Sequence, residues 1–246
     1  MSEQNQKGWV IIFGAGVPDG LGGALARRFA KEGHPIFVTG RTEDKIKQIA
    51  AEVEALGGTA AYKTADVTNE TDVKAAFDAV ESKGSLATVL YNAGNNAMIP
   101  FLELTPAQFE DFWRVCTYGA FLVGQETLRR LVPKGEGSLF FTGASGSLRG
   151  KAQFAHFASA KAGLRNLAQS MAREFGPQGI HIGHIIVDGV ISGDRIKSRL
   201  PQYLEALGDE GSLAPDAIAD AFWALQIQQR TAWSHEIDVR PFKETW

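Results

Sequence analysis

The sequence predicts an α/β domain built on a parallel sheet with helices on both faces. Three observations carry this. Short apolar runs alternate with longer segments whose apolar residues recur at helical spacing, the pattern of strands linked by crossover helices. Several runs are apolar at consecutive positions, as strands covered on both faces must be. The first run opens directly into a glycine-rich turn and then a helix, Gly14-Ala-Gly16-Val-Pro-Asp-Gly20-Leu-Gly22, and that junction favours the doubly wound form.

The elements follow in order. Trp9-Val-Ile-Ile-Phe13 is a buried strand closed by Gly14. Leu21, Leu25 and Phe29 make the stripe of a helix from Leu21 to Lys31 that Gly33 stops. Pro35 to Thr39 is the second strand. Thr42 caps a second helix, with Glu43 and Asp44 in its first turn, a stripe of Ile46, Ile49, Val53 and Leu56, and a stop at Gly57-Gly58. A short strand near Ala60–Lys63 precedes a helix with Val73, Phe77 and Val80 on one face, and Leu86 to Tyr91 is the fourth strand. Thr105-Pro106-Ala107-Gln108 is a capping box with proline at the first helical position, starting a helix that runs to about Leu131. Ser138 to Thr142 is the fifth strand. A long helix from about Phe157 to Phe175 ends at Gly176-Pro177, and Ile180 to Val187 is the sixth strand. The mixed, charged stretch at about 190–214 reads as a lid over the carboxyl edge of the sheet. Pro215 to Gln226 is the last helix and His235 to Val239 the last strand.

Composition narrows the function classes. The 246 residues carry a formal net charge of −3, which gives no electrostatic case for nucleic acid or an anionic membrane. One cysteine, Cys116, excludes an internal disulfide framework and any cysteine-cluster metal site. The start, Met1 to Lys7, is polar without an apolar core, so no secretory signal is read there. No apolar run approaches the ~20 residues of a membrane span. A single cytoplasmic domain, 1–246, is expected. Glycine is enriched, at 27 residues, against a usual share of about 7%, so the backbone approaches something closely.

That closeness has an obvious place. In a strand–turn–helix context, the small residues Gly16, Gly20 and Gly22 let backbone N–H groups face a diphosphate, where the helix N-terminus favours an anion. The plainer reading is a tight turn that needs positive φ. The tip of the second strand reads Thr39-Gly40-Arg41. A carboxylate there would bind the ribose 2′-hydroxyl of NAD and repel a 2′-phosphate. With no acid and an adjacent guanidinium, NADP is favoured over NAD. Arg41 also has the plain reading of a solvated loop charge.

With these motifs in place, the chain resembles the short-chain dehydrogenase/reductase family over nearly its whole length. The resemblance rests on Gly16/Gly20/Gly22, on Asp66-Val67 after the third strand, on Asn92-Ala93-Gly94 after the fourth and on Ser159-Ala160-Lys161 in the long helix. It implies a Rossmann-type sheet of about seven strands in the order 3-2-1-4-5-6-7. It also implies cofactor contacts at Gly16, Gly20, Leu21, Gly22, Arg41, Asp66, Val67, Asn92, Ala93, Gly94 and Lys161. Of these, Asp66 would bond the adenine and Lys161 the nicotinamide ribose. Gly14-Ala-Gly16 aligns in two ways, so the first family glycine is either Gly14 or Gly16.

The departures bear on chemistry. The family's proton-donating Tyr, four residues before the Lys, falls here at Phe157; its Ser falls at Ala144, its helix Asn at Cys116, and its Pro-Gly after the sixth strand at Asp188-Gly189. Ser145 is the only hydroxyl that a one-residue shift could substitute. A phenol beside a lysine cation has its pKa lowered toward the working pH; a Phe ring has no proton to give. Loss of a positioned acid costs ~10²–10⁴-fold, so alcohol–ketone turnover by the usual route is not expected.

Three readings follow. The first is an NADP(H)-dependent oxidoreductase with an atypical active centre, acting on a small carbonyl, imine or alkene. Its proton would come from Ser145, Tyr118, Cys116, His156 or water, although His156 lies about 100° around the helix from Phe157. The second is a catalytically silent NADP(H)-binding sensor or scaffold. The third is a structural subunit with a vestigial pocket. Ser145, Lys161 and Phe157 are the candidate catalytic positions, and no metal is expected. His181 and His184 form H-x-x-H, but an odd offset on a strand sends the rings to opposite faces. Arg195, Lys197 and Arg199 in the lid suggest either an anionic substrate or a solvated face. Met98 to Phe101 read as a cleft wall or as loop packing. Phe121, Leu122, Phe154 and Leu164 lie on or near helices that form subunit contacts in relatives, which implies a homodimer or homotetramer.

Overall fold

The computed structural model describes residues 7–244, apart from the side chain of Arg195. The reading of the polar start therefore lies outside the described residues except for Lys7. Seven strands form one sheet: β1 (Trp9–Phe13), β2 (Ile36–Gly40), β3 (Ala60–Thr64), β4 (Leu86–Tyr91), β5 (Ser138–Thr142), β6 (His181–Val187) and β7 (Glu236–Val239). Their order is β3-β2-β1-β4-β5-β6-β7, and every neighbouring pair is parallel. This is the Rossmann-type order expected.

Alternate residues of the central strands feed two separate cores. Ile11, Phe13, Val89, Tyr91, Leu139 and Phe141 pack on one face against α3 (Glu70–Glu81), α5 (Gly119–Leu131) and α6 (Ala155–Phe175). Val10, Ile12, Leu90 and Phe140 pack on the other against α1 (Leu21–Lys31), α2 (Glu43–Ala55) and α9 (Pro215–Gln226). Because both faces are covered, β1 is buried at all five positions. Edge strand β3 is half-buried or exposed throughout.

Helix entries follow their side-chain signals unevenly: Thr42 takes the N-cap position before α2 but accepts no side-chain bond there. Thr105 and Gln108 make the reciprocal capping box that opens α4 (Pro106–Trp113), as read from the sequence. The helix expected to run on to Leu131 does so with an interruption: Arg114–Tyr118 form a π-helical turn between α4 and α5. Within that turn the buried Tyr91 hydroxyl donates to the Val115 carbonyl at 2.5 Å. Inserted turns of this kind favour functional sites. The long helix starts at Ala155 rather than Phe157, since the buried His156 ring packs on Phe112 of α4 at 4.1 Å and holds the extra residues in register.

The stretch at 190–214 contains two short helices that the mixed composition concealed, α7 (Asp194–Arg199) and α8 (Pro201–Leu207). Its base is closed where Ile191 bridges to Leu213 and Ser192 donates twice to the Leu213 carbonyl. Its first turn crosses the glycine loop: a Cβ on Gly193 would lie 2.9 Å from the Asp19 carbonyl oxygen, and Lys197 Nζ reaches the Asp19 carboxylate at 2.7 Å.

The glycine loop needs bare backbone for packing as well as for any ligand. A Cβ on Gly22 would lie 2.1 Å from the Ala15 carbonyl oxygen, and backbone cannot move aside as a side chain can. Gly22→Ala is therefore expected to lose about 1–3 kcal/mol of stability, read from urea unfolding. An unchanged midpoint would contradict the close approach of α1 to β1.

Candidate active site

The carboxyl ends of β1, β4 and β5 meet where the chain reverses its winding, the position at which open α/β sheets hold ligands. Asn92, just past β4, ties the three together. Its Nδ2 donates to the Gly14 carbonyl at 2.9 Å, and its Oδ1 accepts from the Thr142 hydroxyl at 3.0 Å. Lys161 of α6 then donates from Nζ to the Thr142 carbonyl at 2.7 Å. Lys161 is 4% exposed, and burial pushes its ammonium down from the ordinary lysine range. Gly94 faces this cation: a Cβ there would sit 3.4 Å from Lys161 Nζ and 3.8 Å from Cys116 Sγ. The π-helical turn thus delivers the buried Cys116 to the same corner as the lysine.

The two glycines left open by the sequence divide the work. Both have left-handed φ, +79° at Gly14 and +69° at Gly16. A Cβ on Gly14 would lie 2.4 Å from Ala93 Cα, so Gly14 lets β1 pass the Asn92 turn. A Cβ on Gly16 would meet no heavy atom within 4 Å, so Gly16 borders open space. Gly20 precedes α1 with no side-chain cap, and the first turn, which starts with the buried Leu21, holds no acidic residue. Its N–H groups are therefore left for an anion. Arg41 is exposed just beyond the tip of β2. Asp66 spends one carboxylate oxygen on its own turn, accepting from Thr68 N at 2.9 Å and Thr68 Oγ1 at 2.8 Å. The buried Val67 packs its carbonyl close to Gly119.

The residues of the expected chemical centre are brought together with a changed cast. The ring facing the Lys161 ammonium is Phe157, its centroid 6.0 Å from Nζ. The tyrosines are committed elsewhere. Tyr91 bonds Val115, Tyr118 stacks between Trp113 and Phe121, Tyr62 is exposed on β3 and Tyr203 is exposed on α8. Ser145 begins a 3-10 turn, Ser145–Ser147, whose first carbonyl accepts from Leu148 and Arg149. His156 is directed away, onto Phe112 with the Ala97 backbone beside it. In the 190–214 stretch, Lys197 is engaged with Asp19 and does not form a free basic cluster. Met98 and Phe101 are exposed.

Two features escaped sequence reasoning. The first is Asp188, where the family has proline: its buried carboxylate accepts from Arg149 at 3.0 and 3.2 Å and joins the loops after β5 and β6. The second is a chain of polar side chains under the 3-10 turn. Ser147 Oγ lies 3.4 Å from His184 Nε2, His184 Nδ1 lies 2.9 Å from Glu236 Oε2, and Arg165 grips Glu236 with two bonds of 2.7 Å. The spacing Ala144-Ser-Gly-Ser147 was the one available signal, a hydroxyl three residues along a glycine turn. His181, as its offset requires, goes to the opposite face, bonding the Ser234 carbonyl and stacking on Trp233 at 4.6 Å.

A dinucleotide fits what is present: bare amides at a helix start, open space beside Gly16, a cation past β2 and a buried cation at the β5 end. The amides and the open space would hold the diphosphate, the cation past β2 would face the adenosine ribose, and the buried cation the nicotinamide ribose.

Burial lowers the His184 imidazole to about 4, against the pull of Glu236, with Lys161 and His235 also opposing its charge. The folded ring thus stays neutral while the unfolded one takes up a proton below about 6.5. Stability is complete above that value and falls as pH drops toward 4, by about 2 kcal/mol between pH 7 and 5 from this group alone. His34, His156 and His181, also lowered by burial, act in the same sense. Urea unfolding at the two pH values checks this. His184→Gln is expected to flatten the dependence, and an undiminished slope in that variant would contradict it.

Comparison with known proteins bears on the family and the fold. A family model described as short chain dehydrogenase matches residues 8–202. A short-chain dehydrogenase/reductase of Armillaria gallica is 32% identical over 176 residues, 70% of this chain and 67% of that protein. The crystal structure of a short-chain dehydrogenase from Rhodopseudomonas palustris is 36% identical, covers 96% of this chain and 99% of that one, and superposes with a TM-score of 0.82. An actinorhodin polyketide ketoreductase variant crystallised with NADPH shares the fold, with a TM-score of 0.87, at 22% identity over 96% of this chain and 97% of that one. With its sheet order, glycine loop and Asn92–Lys161 corner, the chain belongs to the short-chain dehydrogenase/reductase family.

Proposed function

We propose that the chain is an NADP(H)-dependent oxidoreductase with an atypical active centre, acting on a small carbonyl, imine or activated alkene. The observation that carries this reading is the Asn92–Thr142–Lys161 corner, intact beside the glycine loop, with Phe157 over the lysine. When bound, the reduced nicotinamide supplies a hydride. The amides of Leu21 and Gly22 hold the diphosphate, the Gly20 N–H being spent on the Val17 carbonyl, and Arg41 holds the 2′-phosphate. Asp66 faces the adenine with the carboxylate oxygen not used by Thr68. Lys161 meets the ribose hydroxyls with the N–H groups that Thr142 leaves over.

NADP in preference to NAD is supported by Gly40-Arg41 at the tip of β2, where no carboxylate repels a 2′-phosphate. It is also supported by the NADPH and NADP held by two neighbours of the same fold.

Phe157 contributes an apolar wall and no proton. An iminium or a polarised alkene suits such a site, because its reduced atom needs little acid assistance while hydride arrives. For a carbonyl, the Ser145 hydroxyl or a water takes the donor's place at lower efficiency. A second reading keeps the dinucleotide and drops the turnover; it is favoured by the joint absence of hydroxyl or amide at Phe157, Ala144 and Cys116.

The apolar groove between α5 and α6, lined by Phe121, Leu128, Val132, Leu167, Met171 and Phe175, supports a homodimer or homotetramer. No described helix is long and apolar enough to cross a membrane, which is compatible with a cytoplasmic protein.

Two measurements test the reading. Arg41→Ala is expected to lose about tenfold in NADPH affinity with NADH affinity unchanged, followed by nicotinamide fluorescence; equal losses for both would remove the 2′-phosphate role. Phe157→Tyr is expected to raise NADPH-dependent carbonyl reduction by about tenfold or more, followed at 340 nm over a panel of ketones, imines and enones. Turnover of imines or enones by the wild-type chain supports the oxidoreductase. NADPH binding without oxidation of any panel member favours the silent reading.

A further inference from the structure

The chain from Arg165 to Ser147 resembles a nucleophilic triad in its atom order, with Ser147 facing His184 Nε2 and Glu236 facing Nδ1. Its electrostatics argue against that use. The carboxylate is already neutralised by a two-bond grip from Arg165, which holds it below the ordinary carboxylate range. The imidazole is buried and too weakly basic to accept a hydroxyl proton readily, and Ser147 itself is 5% exposed. A carboxylate only accepts, so Nδ1 carries the ring proton and Nε2 is left to accept from the Ser147 hydroxyl. Every proton in the row therefore has one position.

The end of the row is what gives it a role. Ser147 Oγ accepts from the Ala144 N–H at 3.2 Å, and the Ser147 N–H donates back to the Ala144 carbonyl at 2.8 Å. The His184 ring lies directly beneath this turn; a Cβ on Gly143 would sit 2.4 Å from its Nε2. On the other side, a Cβ on Gly146 would sit 3.0 Å from Phe157 Cδ1. One row of bonds, anchored on α6 and β7, thus fixes the Gly143–Ser147 turn and supports the aromatic wall beside Lys161.

We propose that Arg165, Glu236, His184 and Ser147 are positioning residues, a buried brace that sets the Gly143–Ser147 turn and the Phe157 ring for the nicotinamide half of the ligand. The brace itself is a property of the unliganded chain; its consequence for a ligand rests on the dinucleotide reading.

Hydrogen exchange on the full-length unliganded protein tests the brace. Ser147→Ala is expected to speed exchange of the Ala144–Ser147 amides by about tenfold while β1 and β4 amides keep their protection. His184→Ala is expected to do the same, and the double variant to exchange no faster than either single one, because one row is broken once or twice. Where His184→Ala does not fold, His184→Gln takes its place. Unchanged exchange in Ser147→Ala, or effects that add in the double variant, would overturn the proposal.

The ligand arm compares NADPH with 2′-phospho-ADP, which keeps the adenosine 2′-phosphate and diphosphate and lacks the nicotinamide and its ribose. Ser147→Ala is expected to weaken NADPH by about tenfold and leave the fragment unchanged. Equal weakening of both would overturn the assignment to the nicotinamide half. Failure of the wild-type chain to bind either ligand would count against the cofactor reading, while the exchange measurement still decides the brace.

Discussion

Three strands of the sheet end at one side chain. Asn92 donates to the backbone past β1 and accepts from the hydroxyl of Thr142 at the end of β5, and the Thr142 carbonyl then receives the Lys161 ammonium. A lysine taken this far out of water is costly to keep charged, and a carbonyl fixed by its own neighbours is what makes the position tenable. The same corner sets the distance between the glycine loop and α6. Gly14 can pass Ala93 only because it carries no Cβ, which would lie 2.4 Å from Ala93 Cα. The open edge of the sheet thus follows from one amide group and one buried cation.

Around that corner, where the resemblance implies a Tyr, a Ser and an Asn, the chain has apolar or buried groups. Phe157 occupies the place beside the lysine, Ala144 the turn above it and Cys116 the π-helical turn opposite. Phe157 and Ala144 have no proton to deliver, and Cys116 offers a buried thiol in place of a phenol. What compensates structurally lies one layer below: Asp188 joins the loops after β5 and β6 through Arg149, and Glu236 reaches from the last strand to α6 and to His184. The frame is thus tied together by buried bonds, and on the proposed reading it would hold a nicotinamide against substrates that need little protonation.

The strands were legible because both faces of the sheet are covered, which leaves runs such as Trp9–Phe13 apolar without interruption. The Thr105 capping box was legible because its chemistry is local, complete within four residues. The π-helical turn was not. It arises where Tyr91, from a different element, inserts its hydroxyl at Val115, and no periodicity in residues 105–131 records that. The two short helices at 190–214 were hidden by their length and by the Pro201 that opens the second. At the site, the glycine loop was readable from its strand–turn–helix context, and Asn92 and Lys161 only through the resemblance to the family. The brace was not, since its bonds join residues 37, 52 and 71 positions apart and each member alone passes for an ordinary polar residue.

The most direct measurement of the central claim is a calorimetric titration of the wild-type chain and of Lys161→Ala with NADPH. The account predicts saturable binding by the wild-type chain, with a clear loss of affinity when the buried ammonium is removed. A flat heat trace for the wild-type chain, or identical affinity in the variant, would contradict it.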